Sequence, residues 1–236
     1  MTIRTYSARD RGAVTLDIRI NVGSVRLIVE DRNYAEVVLT CPDGNDAAAR
    51  AVQRTTIEEY DDYLTVRVPN LEPTTVRQHF DGVTQVVGHN VGVVVGVVYG
   101  SIVTGVGGAV IGGMTAGGIG PGVDIAVRLP LGSSLIAETI SASVDTSGAL
   151  VRAVTESVSG SVHLDTVAAP DLSTISGRIT IDHLIGDGYA KTTSGAITAA
   201  ATDRCHLRAE SVAGSIRVTG PINLSAHTVS GRVTTS

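Results

Sequence analysis

The chain has very few large aromatic side chains: its 236 residues include one Phe (Phe80), no Trp and six Tyr. Compact globular cores draw much of their buried apolar area from aromatic and Leu side chains. Val, Ile, Thr, Ser, Ala and Gly dominate this sequence instead, and small or β-branched side chains suit narrow, regular stacks of strands. The composition therefore favours a repeat architecture.

Cysteine and positive charge are also scarce. Cys41 and Cys205 are far apart and belong to no CxxC or Cys/His pattern, so reduced, partly buried thiols are expected, with a disulfide as the alternative. A formal net charge of −5 gives a nucleic-acid partner no electrostatic support. The first ten residues contain no apolar signal core, which predicts a cytoplasmic protein, with membrane association or export by a non-classical route as alternatives.

Motifs for catalysis are missing as well. The six His show no HxH or HxxxH spacing, no GxSxG elbow occurs, and the Gly-rich stretches lack the Lys-Ser/Thr ending of a phosphate loop. Asp165 and Asp182 occupy the same place in successive repeats, but no basic partner recurs beside them, so solvated edge residues are expected. We therefore predict no catalytic residue, no metal site and no cofactor, and hence no enzyme.

A repeat fills the C-terminal half. Six segments combine Ser or Thr with a small anchor residue three positions later, and the anchors are Ala142, Gly160, Gly177, Gly195, Gly214 and Gly231. The anchors are 18, 17, 18, 19 and 17 residues apart. Two residues after each anchor comes an apolar β-branched residue: Val144, Val162, Ile179, Ile197, Ile216 and Val233. Period-two alternation follows, which is typical of strands with one buried face.

This regularity predicts an all-β fold, a right-handed parallel β-solenoid with about 17 to 19 residues per turn, over residues 123–236. In such a fold Val162, Ile179, Ile197 and Ile216 lie above one another. An antiparallel sandwich or propeller blade is the alternative. It requires frequent hairpin turns, whereas Asp-Gly pairs occur only at residues 43–44, 81–82 and 187–188.

Residues 1–85 form a more charged N-terminal part that still alternates as strands do. The expected strands are Val14–Ile20, Val25–Val29, Glu36–Thr40, Arg54–Glu58 and Tyr63–Val68. Residues Asn45–Val52 are the exception, because their Ala-rich pattern predicts a short helix or loop that covers one end of the stack. The acidic residues 58–62 indicate a solvated turn between strands.

Residues 86–122 contain no charged side chain and are rich in Val and Gly. Many β-branched residues and dense Gly favour β-rungs or a self-associating β-segment. A membrane-spanning helix with Gly at every fourth position and a mobile loop are the alternatives. The residues predicted to self-associate are Val91, Val93, Val95, Val97, Tyr99, Ile102, Val103, Val106, Val110 and Ile111. Burial of such a segment between subunits predicts a homo-oligomer.

Residues 123–135 read VDIAVRLPLGSSL. They are followed by repeats that contain Ile140-Ser141-Ala142 and Val158-Ser159-Gly160. In these features the chain resembles a bacterial family, the putative-adhesin β-strand-repeat domains. The resemblance extends over about residues 14–236. It implies a β-solenoid similar to that of bactofilins, the bacterial cytoskeletal β-helix proteins. It brings no catalytic residues, and the adhesin label implies export.

These observations predict a non-enzymatic structural or scaffold protein that assembles with itself into a homo-oligomer or filament. A membrane-inserting or pore-forming protein that uses the Gly/Val-rich segment is one alternative. An adhesin-like binding module is the other, with the outward Arg178, Arg217 and Arg232 as its candidate contacts. The expected partner is a second copy, with another protein possible, a membrane less favoured and no nucleic acid.

Overall fold

A computed structural model of the chain describes residues 1–42, 45–71, 76–80, 83–87, 93–98, 101–106 and 122–235, with side chains described up to residue 71 and from residue 122 onward. The described part contains twenty-two strands and one helix, α1 (Asp46–Arg54). The all-β class expected from the sequence is therefore confirmed.

The strands of the first half are β1 (Thr2–Ser7), β2 (Thr15–Ile20), β3 (Gly23–Glu30), β4 (Glu36–Cys41), β5 (Thr56–Tyr60), β6 (Tyr63–Arg67), β7 (Val76–Phe80), β8 (Val83–Val87), β9 (Val93–Val98) and β10 (Ser101–Val106). Those of the second half are β11 (Val123–Pro130), β12 (Ser134–Thr139), β13 (Ser143–Ser147), β14 (Ala149–Ser157), β15 (Val162–Thr174), β16 (Ile179–Leu184), β17 (Gly188–Thr192), β18 (Ile197–Ala201), β19 (Cys205–Ser211), β20 (Ile216–Thr219), β21 (Ile222–Thr228) and β22 (Val233–Thr235).

Strands β1 to β6 and β11 to β22 form one eighteen-stranded sheet, which encloses a single core in a nearly closed, barrel-like arrangement. Within the part of the chain that the structure describes, the strands from β12 to β22 pair with their neighbours in parallel. This excludes an antiparallel sandwich or propeller blade for that part of the chain. Cys41 and Cys205 are both buried and free, as expected.

The parallel strands form two series. The first series runs through β6, β2, β12, β14, the second half of β15, β17, β19 and β21. The second series runs through β11, β3, β13, the first half of β15, β16, β18, β20 and β22. Each passage of the chain through both series is called a coil below.

The pairing register agrees with the sequence repeat. In the second series Val162 pairs with Ile179, Ile179 with Ile197, and Ile197 with Ile216. These four side chains are almost completely buried. The residues that pair are 17 to 19 positions apart, so the spacing of the anchors is the spacing between neighbouring coils.

Each coil turns from the first series to the second at its small anchor residue. The amide of Gly177 donates to the hydroxyl of Thr174 at 3.1 Å, and the amide of Gly214 donates to that of Ser211 at 2.8 Å. A Cβ on Gly177 would overlap the carbonyl oxygen of Gly160 in the preceding coil. Glycine recurs here because neighbouring backbones approach too closely for any side chain.

Helix α1 covers one end of the core. Asn45 caps its N-terminus by accepting a hydrogen bond from the amide of Ala48 at 3.0 Å. Four of its small residues are buried against the sheet: Ala47, Ala48, Ala51 and Val52. Nearby, β5 and β6 pair as an antiparallel hairpin. Its turn is formed by Asp61 and Asp62, whereas residues 58–60, also expected in the turn, belong to β5.

Strands β7 to β10 form a separate four-stranded antiparallel sheet. The β conformation expected within residues 86–122 is thus present in β9 and β10, but the expectation of parallel rungs is wrong for these strands. Only two residues separate β9 from β10 in the sequence, and a parallel pair requires a crossover of a dozen or more residues.

Among the residues that the structure describes, no helix has the length and the apolar character needed to cross a membrane.

Candidate functional site

A row of exposed apolar side chains lies where each coil turns at its anchor. The residue two positions before each of the six anchors points outward, and it is apolar at five of these six positions. We call these positions the corner row: Ile140, Val158, Ile175, Thr193, Val212 and Val229.

Backbone hydrogen bonds place the corner row in one line. The carbonyl of Ile140 accepts from the amide of Ser159, and the carbonyl of Val158 accepts from that of Ser176. In the next coil the carbonyl of Ile175 accepts the equivalent hydrogen bond from the amide of Ser194. Parallel strands lie about 4.8 Å apart, so the six positions extend over about 24 Å.

The exposure of this row is unusual for apolar side chains. Ile140 is 47 % exposed, Val158 43 % and Ile175 53 %. Five of the thirteen exposed large hydrophobic residues in the described part of the chain belong to the corner row. Contiguous exposed apolar surface is typical of interaction sites, whereas single exposed apolar residues are ordinary.

An open groove of about 710 Å³ lies beside the first three positions of the row. Its lining residues include the row itself and polar side chains from β2, β6, β12 and β14. Arg19 pairs with Glu138 at 3.1 Å within the groove, and the amide of Asn21 donates to the side-chain oxygen of Asn70. The groove is therefore apolar along one wall and polar along the other.

The polar wall continues as a second row in the first series, two residues before each corner position. We call this the flanking row: Glu138, Glu156, Ser173, Lys191, Glu210 and His227. The corner row and the flanking row together are called the corner strip.

Two flanking-row charges have no salt-bridge partner in the described part of the chain. These are Glu156 and Lys191, two coils apart. Glu138 is paired with Arg19, and Glu210 accepts hydrogen bonds from Arg208 at 2.7 Å. The hydrogen bond from Arg208 is the main cause that holds the pKa of Glu210 below its usual value, and the positive charge of the neighbouring Lys191 contributes to it.

A charged bridge joins side chains of three strands in the second series, β13, β15 and β16. His163 lies between two carboxylates, with Nε2 2.8 Å from Asp182 and Nδ1 3.3 Å from Asp145. The hydrogen bond with Asp182 is the main cause that raises the pKa of His163. Asp165 instead accepts a hydrogen bond from the amide of Gly148 at 2.7 Å, so Asp165 and Asp182 have separate partners.

The three arginines that the sequence suggests as binding contacts do not form one cluster in the structure. Arg178 and Arg232 are exposed one residue before β16 and β22, whereas Arg217 lies within β20. Among the described residues no group of three or more His, Cys, Asp and Glu could hold a metal ion.

The predicted self-association residues fall in and around β9 and β10. Strand β9 contains Val93, Val95 and Val97, and β10 contains Ile102, Val103 and Val106; Val97 pairs with Ile102. The remaining four lie outside the described residues: Val91, Tyr99, Val110 and Ile111. Self-association through this segment stays a prediction.

The corner row was missed at the sequence level although the repeat alignment contains it. The anchors and the buried positions after them are the strongest features of that repeat. The sequence does contain a signal for the corner row. An apolar residue recurs two positions before the anchor, where it must face outward because the coils are in close contact at the anchor itself.

No protein-family model matches the chain, and no curated protein matches it in sequence. Among solved structures, a putative adhesin from Bacteroides fragilis aligns with a TM-score of 0.46 at 12% identity, over 100% of this chain and 97% of that chain. A putative adhesin from Parabacteroides distasonis has a TM-score of 0.37 at 10% identity, over 100% of this chain and 97% of that chain.

A putative cell adhesion protein from Clostridium sporogenes has a TM-score of 0.36 at 7% identity, over 99% of each chain. These names agree with the adhesin part of the resemblance found in the sequence, while the likeness to bactofilins finds no support among them. Similarity this distant carries no argument about function.

Proposed function

We propose that this chain is a non-enzymatic, adhesin-like binding module whose corner strip contacts a protein partner. A right-handed parallel β-solenoid is the scaffold in this proposal, because parallel crossover connections within one sheet are almost always right-handed. The observation that carries the proposal is the corner row, in which Ile140, Val158 and Ile175 expose about half of their surface in one line beside a groove.

A polypeptide fits this surface better than a polar ligand does. Burial of branched apolar side chains stabilises a complex by about 25 cal/mol per Å² of apolar area removed from water, and a partner must supply apolar area to gain it. None of the described residues that line the groove is an aromatic one that could stack on a sugar ring or a base. The net charge of −5 likewise disfavours a polyanion.

The test uses a strip variant, Ile140→Asn with Val158→Asn and Ile175→Asn. Its matched control carries Leu131→Asn, Val151→Asn and Ile185→Asn, which alter three apolar side chains that are 57 %, 52 % and 42 % exposed outside the strip. Binding is measured by biolayer interferometry to three immobilised probes: casein as an extended polypeptide, mucin as a glycan-rich surface, and the wild-type chain.

We expect the wild type and the control to bind casein or the immobilised chain at least tenfold more tightly than the strip variant does. Loss of about three half-buried apolar contacts is sufficient for that change. Binding to mucin alone, binding that the strip variant retains in full, or no binding to any probe would each contradict the proposal. Circular dichroism verifies that both variants keep the β fold.

A self-assembling scaffold is the second candidate. It is supported by the uncharged, β-branched strands β9 and β10, which pair as a hairpin in a sheet separate from the main one. In this candidate the segment between residues 86 and 122, and not the corner strip, joins the subunits. The two candidates differ in which substitutions abolish association.

A further inference from the structure

We propose that the protein partner of the corner strip is a second copy of this chain, docked with its stack antiparallel to the first. This inference rests on the proposed function and names the partner of the same surface. The contact would place the corner rows of the two copies face to face, around a twofold axis that passes through Ile175.

The spacing of the corner row argues for a partner of the same construction. Its side chains recur once per coil, about 4.8 Å apart. A surface that meets each of them with an apolar group must repeat at the same distance along a straight line. The corner row of a second copy has this repeat without any conformational change. In a twofold dimer the same surface of both copies forms the interface.

The two flanking-row charges without a salt bridge in the described part of the chain fix orientation and register. With the axis at Ile175, Glu156 of each copy lies opposite Lys191 of the other, which gives two ion pairs. The remaining flanking charges near the centre are already compensated within each copy, Glu138 by Arg19 and Glu210 by Arg208. A parallel arrangement would instead place Glu156 opposite the uncharged Ser161 of the other copy, with Arg178 at the same position one coil further on, so it offers no direct ion pair.

The same register matches the apolar positions. Ile175 lies against its counterpart, and Ile140 lies against Val212 of the second copy. Val158 meets the methyl group of Thr193. The apolar residues of both rows are thus covered over five coils, and Val229 lies opposite Asn21 of the second copy, the equivalent position in the coil that β2 and β3 form.

The size of this contact predicts a weak dimer. Five side chains that are about half exposed, with their charged neighbours, bury about 500 Å² per copy and about 1,000 Å² in total, which is at the low end of specific interfaces. We expect a dissociation constant on the order of 1 to 100 μM, because weak and transient complexes lie at this low end of the size range. Two ion pairs at the rim contribute chiefly to orientation.

The experiment is sedimentation equilibrium of the full chain between 5 and 500 μM. We expect a monomer–dimer equilibrium for the wild type and for the control with Leu131→Asn, Val151→Asn and Ile185→Asn. The strip variant, with Ile140→Asn, Val158→Asn and Ile175→Asn, should dimerise at least tenfold more weakly. Monomer at every concentration would overturn the inference.

A charge exchange tests the orientation separately. Glu156→Lys places two ammonium groups opposite each other in both halves of the antiparallel dimer and should weaken dimerisation about fivefold. Adding Lys191→Glu to the same chain restores opposite charges and should restore the dimer. If Glu156→Lys has no effect, or if the second substitution does not rescue it, the antiparallel register is wrong.

The outcomes separate this inference from the proposed function. A monomeric chain that still binds casein through the strip overturns the inference and leaves the proposed function in place. A chain whose dimer is unchanged in the strip variant contradicts the inference and directs attention to β9 and β10. Failure of strip-dependent binding to casein and to the chain itself overturns both.

Discussion

At the scale of single residues, the hydroxyl groups inside the stack divide into satisfied and unsatisfied ones. The hydroxyl of Thr174 accepts a hydrogen bond from the amide of Gly177 at 3.1 Å, and equivalent bonds recur at the other turns. Thr155 lies in the core beside Ala137 and Leu172 of the neighbouring coils, and its buried Oγ1 has no hydrogen-bond partner in the described part of the chain. A buried hydroxyl without a partner destabilises the fold.

Thr155→Val should raise the free energy of unfolding by about 1 kcal/mol, because Val keeps the shape of Thr and removes the unsatisfied hydroxyl. Thr174→Val is the matched control and should lower that free energy by about 1 to 2 kcal/mol, since the amide of Gly177 then loses its acceptor. Urea denaturation of the three proteins measures both changes. Equal effects of the two substitutions would show that Thr155 has a partner in solution.

At the scale of elements, α1 is joined to the sheet by a side chain from β1. The guanidinium group of Arg4 donates to the carbonyl of Gln53 at 3.2 Å, and to those of Val52 and Thr55 at the end of the helix. The last carbonyls of a helix have no partner within it, and a positive charge there also favours the helix dipole. Arg4 therefore stabilises both the helix end and its position on the core.

Arg4→Ala should lower the free energy of unfolding by about 1 to 2 kcal/mol and should increase hydrogen exchange in α1 more than elsewhere. Arg26→Ala, which removes an exposed arginine from β3, is the control and should change stability by less than about 0.5 kcal/mol. Hydrogen-exchange mass spectrometry locates the effect. Uniform exchange across the chain would contradict a local role for Arg4.

At the scale of the whole molecule, stability accumulates from contacts between successive coils. The bridge of Asp145, His163 and Asp182 joins three coils on the outer face, in addition to the backbone pairing beneath it. The two carboxylates raise the pKa of His163 in the folded chain above its ordinary value. Protonated His163 consequently stabilises the stack more than neutral His163 does.

The contribution of His163 should be fully present below its ordinary pKa of 6.5 and should disappear as the pH rises through the raised pKa of the folded state. The side chain is 42 % exposed, so the expected effect is below about 1 kcal/mol. Urea denaturation at about pH 5.5 and pH 8.5 measures it. His163→Asn should remove this pH dependence, whereas His206→Asn should retain it.

Sequence alone determined the coil spacing and the buried face of each strand. Steps of 17 to 19 residues between anchors can bring Val162, Ile179, Ile197 and Ile216 into line only if neighbouring coils pair in parallel, and the observed register has that form. These features are local and periodic, so they can be read from composition and spacing. Helix α1 lies where the sequence predicts a short helix or loop, because its Ala-rich pattern is also a local feature.

Only the tertiary structure decided which outward positions become neighbours. Glu156 and Lys191 are 35 residues apart in sequence, yet they lie two coils apart in one row beside the apolar corner. The pairing of β7 to β10 as an antiparallel sheet was likewise set by short connections between strands and not by their apolar composition. Outside the corner row, outward side chains make no core contacts that impose a pattern on the sequence, so which of them become neighbours follows only once the coils are stacked.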